Sequence, residues 1–261
     1  MKRSEQVEII KVIAGERSQL LDDVAVEEPL QITIDGVPIA VVMRTVGDDA
    51  DLVAGFLVTE GIITTLDAIS RIDLEQKKNH ALVFIKDDVE LDLSSLQRNL
   101  YSASSCGICG KASIDEVFQN APELKDELSV RVDDLLQAPD KLREAQETFE
   151  TTGGLHAAGL FSYDGNLLVL KEDVGRHNAI DKVIGAAMKN GHDFSQTFLQ
   201  LSGRVSFEVV QKALMAGIPM VAAISAPTSL AVSFAEESQM TLVAFMRGQK
   251  FNIYSHSNRV I

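Results

Sequence analysis

The feature that most constrains the fold is a regular alternation of apolar strands and helices in the second half of the chain. Residues 197–201 and 220–224 are short apolar runs typical of buried strands, and each is followed by a helical pattern of about a dozen residues. Parallel neighbours in a sheet need a long crossover connection, which a helix usually supplies. The alternation therefore predicts a layered, partly parallel α/β domain over residues 131–261.

The first half of the chain has a different pattern and predicts a mixed α+β domain over residues 28–130. The dipeptide Asp35-Gly36 separates two alternating segments, which is typical of a β-hairpin. A second strand pair is expected at residues 80–86 and 89–93. Residues 1–27 are charged and weakly patterned, so we expect a variable segment there and regular structure only from about residue 28.

The charge balance narrows the possible partners. The chain has 261 residues, with 24 Lys and Arg against 38 Asp and Glu, and a formal charge of −14. Repulsion from nucleic acid and the absence of Trp make nucleic-acid binding a poor interpretation. No run approaches the roughly 20 apolar residues of a membrane-spanning helix. We therefore expect a cytoplasmic protein with neither nucleic acid nor membrane as a partner.

The two cysteines, Cys106 and Cys109, stand together in the segment SSCGICGK. They cannot form a disulfide framework, so they indicate a reducing compartment and a reactive thiol pair. The small neighbours keep the segment accessible, and Lys111 favours the thiolate form. A zinc half-site, a dithiol redox pair and two inert buried cysteines are the alternatives. No structural metal is expected, because the chain has no second cysteine pair and its five histidines lack zinc-finger spacing.

Cations and hydroxyl groups follow several of the predicted strands in the second half. Arg176 and His177 lie where a strand leads into a helix, and Arg204 follows the strand at residues 197–201. Such junctions bind anionic ligands in α/β proteins, although helix capping and solvated ion pairs are the simpler alternative. His156 is a further candidate, with a packed core histidine as the equal alternative. We expect a phosphate-binding rim, which also includes the hydroxyl groups of residues 225–229 and the turn formed by Phe245, Met246, Arg247, Gly248, Gln249 and Lys250.

Several segments together resemble the formate dehydrogenase accessory sulfurtransferase (FdhD) family. The similarity runs from about Glu28 to the C-terminus and implies a cytidine-deaminase-like fold for the C-terminal domain, a homodimer, and a role in maturing a molybdenum or tungsten enzyme. The segments are SSCGICGKASI, GGLHAAGLF, EDVGRHNAIDKVIG, SGRVSFE, QKALMAGIP, SAPTSLAV and TLVAFMRGQKFNIYSH.

The resemblance also implies an activity. It implies a protein that takes sulfur from a cysteine desulfurase as a persulfide and passes it to bis-molybdopterin guanine dinucleotide before the insertion of that cofactor into formate dehydrogenase. By matching motif, Cys106 is the persulfide carrier, Cys109 its partner, and residues 245–250 part of the cofactor-binding segment. We add the strand-end residues Arg176, His177 and Arg204 as cofactor contacts by the argument above. GDP, the nucleotide half of the cofactor, is the expected surrogate ligand.

Other classes of function stay open at this point. A cofactor-binding chaperone without catalysis, in which the cysteines only dock a partner, is the main alternative. A zinc-dependent deaminase needs His-x-Glu followed by Pro-Cys-x-x-Cys, whereas here His156 precedes two alanines and the cysteines lie upstream. A general dithiol oxidoreductase is disfavoured, because the pair lies in a Ser/Gly segment without a clear strand-to-helix setting.

Overall fold

The structure is a computed structural model that describes residues 2–91, 122–124 and 128–261. These residues form a two-stranded hairpin, a four-stranded sheet and a six-stranded sheet. No helix among them is long and apolar enough to cross a membrane. The strands are β1 (Ser4–Ile13), β2 (Glu16–Ala25), β3 (Glu28–Ile34), β4 (Val37–Arg44), β5 (Ile69–Asp73), β6 (His80–Ile85), β7 (His156–Ser162), β8 (Leu167–Asp173), β9 (Thr197–Leu201), β10 (Met220–Ala223), β11 (Thr241–Arg247) and β12 (Lys250–Ser255). The helices are α1 (Asp49–Thr59), α2 (Val132–Glu144), α3 (Glu147–Thr152), α4 (Arg176–Lys189), α5 (Phe207–Met215) and α6 (Ser229–Glu237).

The N-terminal segment is a long hairpin, so the expectation that regular structure begins only near residue 28 is wrong. β1 and β2 pair antiparallel along their whole length, from Ser4 opposite Ala25 to Ile13 opposite Glu16. The turn between them is Ala14-Gly15, and both residues have positive φ, as a two-residue hairpin turn requires. None of the residues in these two strands is buried, so no apolar face is needed there and the sequence shows no alternation of apolar and polar residues.

The four-stranded sheet has the order β4-β3-β6-β5. The predicted hairpin at Asp35-Gly36 is confirmed, with β3 and β4 antiparallel and positive φ at both turn residues. The second predicted pair is wrong in its partner. β6 pairs with β3 and with β5, while residues 89–91 form no strand and residues 92–93 lie outside the described part of the chain. α1 packs on this sheet through an apolar core that includes Leu52 and Ile32.

The six-stranded sheet has the order β12-β11-β10-β9-β7-β8 and confirms the α/β class. β9, β10 and β11 are parallel, whereas β7 runs antiparallel to both β8 and β9. The carboxyl ends of β8, β9, β10 and β11 therefore lie along one edge of the sheet. Helices α4, α5 and α6 cover one face, and α2 covers the other. The likeness to cytidine deaminases stays a prediction.

The core of the six-stranded sheet also includes the residues just before α2. Leu128 and Val130 are buried with Phe198 and other sheet residues. The amide of Val130 donates to the carbonyl of Arg259 at 2.8 Å, and the amide of Ile261 donates back to Val130 at 3.0 Å. By packing, these residues belong with the six-stranded sheet, although they precede the domain boundary predicted at residue 131.

The two sheets are joined where α1 crosses α4 with backbone against backbone. A Cβ atom on Gly55 would lie 1.8 Å from the carbonyl oxygen of Asp181, and one on Gly185 would lie 2.0 Å from that of Asp51. Real side chains do not approach so closely, so only glycine fits at these two positions. The contact fixes the position of α4, and hence of its first residues, relative to the N-terminal sheet.

A buried ammonium group lies beside this crossing. Lys212 of α5 is 1% exposed and donates to both carboxylate oxygens of Asp181 at 3.0 Å, to Glu60 at 2.8 Å and to the hydroxyl of Thr59 at 3.0 Å. Burial alone would lower the pKa of Lys212, but Asp181 and Glu60 raise it well above its ordinary value. The ammonium of α5 is therefore paired inside the molecule with carboxylates from α4 and from the end of α1.

Candidate functional site

The carboxyl edge of the six-stranded sheet, which we call the strand-end edge, brings the predicted rim residues to one side of the molecule. Arg176 begins α4 just after β8, and Arg204 lies between β9 and α5. The loops after β9 and β10 are joined by hydrogen bonds of Val205 with Ala226 and Thr228. The amide of Phe245 in β11 donates to the carbonyl of Ser225 at 3.2 Å, which continues the contact to the next strand. The strand ends therefore form a continuous border.

His156 lies at the amino end of β7 on the same edge. A Cβ atom on Gly203 would be 3.3 Å from Nδ1 of His156, so this glycine leaves the room that the imidazole occupies. Burial lowers the pKa of His156, and the positive charges of Arg176 and Arg204 lower it further. His156 is therefore a neutral side chain placed between two arginines.

His177, on the first turn of α4, has a side-chain partner on each ring nitrogen. Nδ1 lies 3.2 Å from Oε2 of Glu208, and Nε2 lies 3.3 Å from Oγ of Ser206. Burial, with the charges of Arg176 and Lys212, lowers the pKa of His177 to about 3. The imidazole is thus neutral, and the carboxylate beside Nδ1 favours the tautomer with its proton on Nδ1, so that Nε2 accepts from Ser206.

Sequence analysis missed Ser206 and Glu208. Both stand in the segment SGRVSFE, just after Arg204, and the sequence analysis singled out only the arginine there. Ser206 occupies the N-cap position of α5 without making a side-chain cap, because its hydroxyl group bonds to His177 instead. The only signal available in the sequence was a hydroxyl and a carboxylate two residues apart at a strand-to-helix junction.

The cations of the strand-end edge differ from the interior ones in their pairing. Within the described part of the chain, no carboxylate lies within 4.0 Å of Arg176, Arg204, Arg247 or Lys250, whereas the buried Lys212 and Lys182 are paired. The Nε atom of Arg176 is buried and has no hydrogen-bond partner among the described residues. A buried donor without an acceptor is costly, so an anion placed here would satisfy a group that the described residues leave unsatisfied.

The turn between β11 and β12 forms the outer part of the edge. Phe245 has φ of 56° and is 39% exposed, and Arg247 lies opposite Lys250. Met246 differs from its neighbours, because its side chain is 1% exposed and packs in the core. A ligand contact from Met246 could come only through its backbone. Gly248 and Gln249, at the tip, are exposed.

The predicted dithiol cannot be placed relative to this edge, since Cys106 and Cys109 lie outside the described residues. Another concave region, of about 1140 Å³, lies between the N-terminal hairpin and the four-stranded sheet. Three of its cations already pair with carboxylates: Arg3 with Asp48, Arg44 with Asp49 at 2.9 Å, and Lys78 with Glu28 at 3.3 Å. The strand-end edge is therefore the better candidate for binding an anion.

The fold and this edge together define an α/β protein whose strand-end cations have no carboxylate partner among the described residues, an arrangement typical of sites for anionic ligands. Comparison with known proteins then identifies the family. The sequence matches the FdhD/NarQ family over residues 25–261, and the chain belongs to that family, as the sequence analysis predicted.

Individual relatives match nearly the whole chain. The sulfur carrier protein FdhD of Streptomyces avermitilis is 46% identical and covers 98% of this chain and 95% of its own length. The sulfur carrier protein FdhD of Sulfolobus acidocaldarius is 44% identical over 98% of both chains. The crystal structure of a protein assigned as a formate dehydrogenase accessory protein from Desulfotalea psychrophila has a TM-score of 0.82 at 24% identity over 100% of both chains. The last comparison shows a shared fold.

Proposed function

We propose that this protein is a sulfur carrier that accepts sulfur from a cysteine desulfurase as a persulfide on Cys106. It passes that sulfur to bis-molybdopterin guanine dinucleotide, which is then inserted into formate dehydrogenase. The observation that supports this proposal is its similarity over nearly the full length to relatives named sulfur carrier proteins. We also propose that the protein acts in the cytoplasm as a homodimer.

Loading requires no change in oxidation state overall. The thiolate of Cys106 attacks the outer sulfur of the desulfurase persulfide, a new S–S bond forms, and the desulfurase cysteine leaves as a thiolate. For release, attack of the Cys109 thiolate on the Cys106 sulfur would form a disulfide and free a sulfide ion. A thiol reductant would then have to reduce that disulfide before the next cycle. Alternatively, Cys109 only tunes and protects the carrier thiol.

The residues of the strand-end edge fit the dinucleotide as a substrate. Its pyrophosphate groups need cations and N–H donors, and the edge provides Arg176 with an unsatisfied Nε atom, the exposed Arg204, and the helix N-termini that follow both strands. His177 and the turn at residues 245–250 lie on the same side. We therefore propose Arg176, His177, Arg204 and residues 245–250 as cofactor contacts.

The decisive experiment is intact-mass measurement after incubation with a cysteine desulfurase and cysteine, followed by peptide mapping. We expect a reducible adduct of one sulfur atom on Cys106, lost in Cys106→Ala. Cys109→Ala is the matched variant, and it should load sulfur while losing release if the second thiol resolves the persulfide. An adduct that persists in Cys106→Ala, together with normal activation of formate dehydrogenase, would exclude the carrier role.

The alternative function, a cofactor-binding chaperone without catalysis, uses the same edge. In that case wild-type protein gains no sulfur, and Cys106→Ala still binds the cofactor and activates the dehydrogenase. Measurement of dehydrogenase activity in cells that contain only the Cys106→Ala variant therefore separates the two functions.

A further inference from the structure

The side chains of Ser206, His177 and Glu208 form an array at the strand-end edge, in which Ser206 and His177 share a hydrogen bond and Glu208 contacts the imidazole. The distances are 3.3 Å from the serine hydroxyl to the imidazole and 3.2 Å from the imidazole to the carboxylate. A serine at an N-cap position normally accepts from a helix amide. Thr228 does so for α6, accepting from the amide of Ala231, but Ser206 does not do so for α5. The hydroxyl of Ser206 is therefore held by His177 rather than by its own helix.

The donor and acceptor roles of Ser206 and His177 in their hydrogen bond depend on the protonation of His177. With the imidazole neutral, the Ser206 proton points to Nε2, so toward the edge Ser206 offers only lone pairs. If Nε2 takes up a proton, the imidazole donates to Oγ, and the serine proton is free to point outward. Ser206 then donates to a ligand, and Glu208 faces an imidazolium that it stabilises.

The charges around His177 control this change. Burial opposes the imidazolium most strongly, and the charges of Arg176 on the same helix and Lys212 on α5 oppose it further, whereas His156 on β7 would do so only when it is itself protonated. Glu208 is the carboxylate in direct contact. A phosphate bound near Arg176 would offset the positive charge of that arginine, so a proton on His177 would become less costly.

We propose that Ser206 is a further contact residue for a phosphate-bearing ligand at the strand-end edge, and that ligand binding is coupled to uptake of one proton by His177. In this step the proton comes from the buffer, an N–H bond forms at Nε2, and the Ser206 O–H turns from the imidazole to a phosphate oxygen. The inference rests on the proposed function only in taking the nucleotide end of the cofactor as the ligand. It assigns to Ser206 and Glu208 a role in binding rather than in sulfur carriage.

The sign of the pH dependence follows from the coupling. A group that binds its proton more tightly in the complex than in the free protein makes the complex stronger at lower pH. Because the pKa of His177 in the free protein is about 3, the affinity should rise mainly toward pH 5.5, the acidic end of the range from pH 8, and by no more than about tenfold per pH unit for one proton. GDP titrates its own phosphate in this range, so the relevant quantity is the difference between wild type and a variant without the imidazole.

The experiment is calorimetric titration of GDP into the full-length protein at several pH values, in two buffers with different heats of ionisation. We expect net proton uptake with wild type, which is lost in His177→Gln. His192→Gln is the matched control, because His192 lies beyond the opposite end of α4, and it should behave as wild type. Equal proton uptake in wild type and His177→Gln overturns the coupling.

Ser206 is tested separately, with fold retention checked by circular dichroism. Ser206→Ala should weaken GDP binding by roughly five- to tenfold, as expected for one hydrogen bond to a charged group. The loss should be larger at pH 5.5 than at pH 8, and Ser206→Thr should restore it. An equal loss at both pH values, or no loss, refutes the role of Ser206. Absence of GDP binding refutes the whole inference, whereas sulfur loading of Cys106 in the mass assay would still support the proposed carrier function.

Discussion

The substitution Lys212→Met would test how the two sheets are held together. It keeps the length of the side chain but removes the ammonium that contacts Asp181 and Glu60, which are 2% and 8% exposed. The two carboxylates would then be buried without a cation. Breaking a buried ion pair in this way typically costs about 3–5 kcal/mol.

Protonation of the carboxyl groups limits this cost and makes it depend on pH. Burial already raises the pKa of Asp181 to about 6, although Lys212 opposes the shift, and without the ammonium the pKa rises further. Protonating a carboxyl group with an ordinary pKa near 4 costs about 4 kcal/mol at pH 7 but only about 1.4 kcal/mol at pH 5. A raised folded-state pKa means stability that is lost as the pH rises. The variant should therefore lose about 4 kcal/mol at pH 7 and clearly less at pH 5.

Urea denaturation at both pH values measures the free energy of unfolding for the variant and wild type. Lys189→Met is the matched control, because Lys189 pairs with Asp51 at 2.9 Å while its side chain is 37% exposed. A pair of that kind contributes about 0–1 kcal/mol. A loss below about 1 kcal/mol in Lys212→Met at pH 7, or the same loss at both pH values, would show that the buried cluster is not charged as described.

Two further predictions concern the helix crossing and the ligand. Gly55→Ala places a methyl group 1.8 Å from the backbone of Asp181. We therefore expect the free energy of unfolding in urea denaturation to fall by at least about 3 kcal/mol, or the protein to fail to fold. Gly154→Ala, whose nearest neighbour lies at 3.6 Å, is the control and should be nearly neutral. A mild effect of Gly55→Ala would mean that the helices separate easily. Arg247→Ala should weaken GDP binding about ten- to a hundredfold in calorimetry. The thermal midpoint should stay nearly unchanged, because the exposed arginine has no intramolecular ion pair among the described residues. Unchanged affinity would remove this turn from the binding site.

The sequence predicted those elements whose signal is local. Asp35-Gly36 specified its hairpin because the flanking strands have buried and exposed faces as well as the turn residues. The hairpin at Ala14-Gly15 has the same turn geometry, but both of its faces are exposed, so no hydrophobic period marked it. β5 was missed because it is only five residues long with none of them fully buried, and because no Gly or Pro marks the loop that joins it to β6. Proline is normally excluded from helix interiors, yet α2 contains Pro139 near its middle.

At the candidate site, too, the features with a local sequence signal were predicted and those that depend on long-range contacts were not. Strand ends that lead into helices were visible in the sequence, and the structure brings Arg176, His177 and Arg204 to one edge, as that pattern predicts. The bond from His177 to Ser206 joins residues 29 positions apart and depends on the spatial order of β8, β7 and β9. Sequence periodicity does not report such order. The pairing of Glu208 with the imidazole could therefore be found only in three dimensions.

The backbone contact between α1 and α4 also has a consequence for synthesis of the chain on the ribosome. Gly185 is translated 130 residues after Gly55. At about 5–20 residues per second, the surface of α1 that α4 finally covers waits roughly 7–26 s for its partner. During that time the new N-terminal sheet carries an uncovered, closely fitting helix surface, which is where an aggregation-prone intermediate or a chaperone-bound one would form. The tight helix crossing that fixes the mature protein is thus a source of vulnerability while the chain is still on the ribosome.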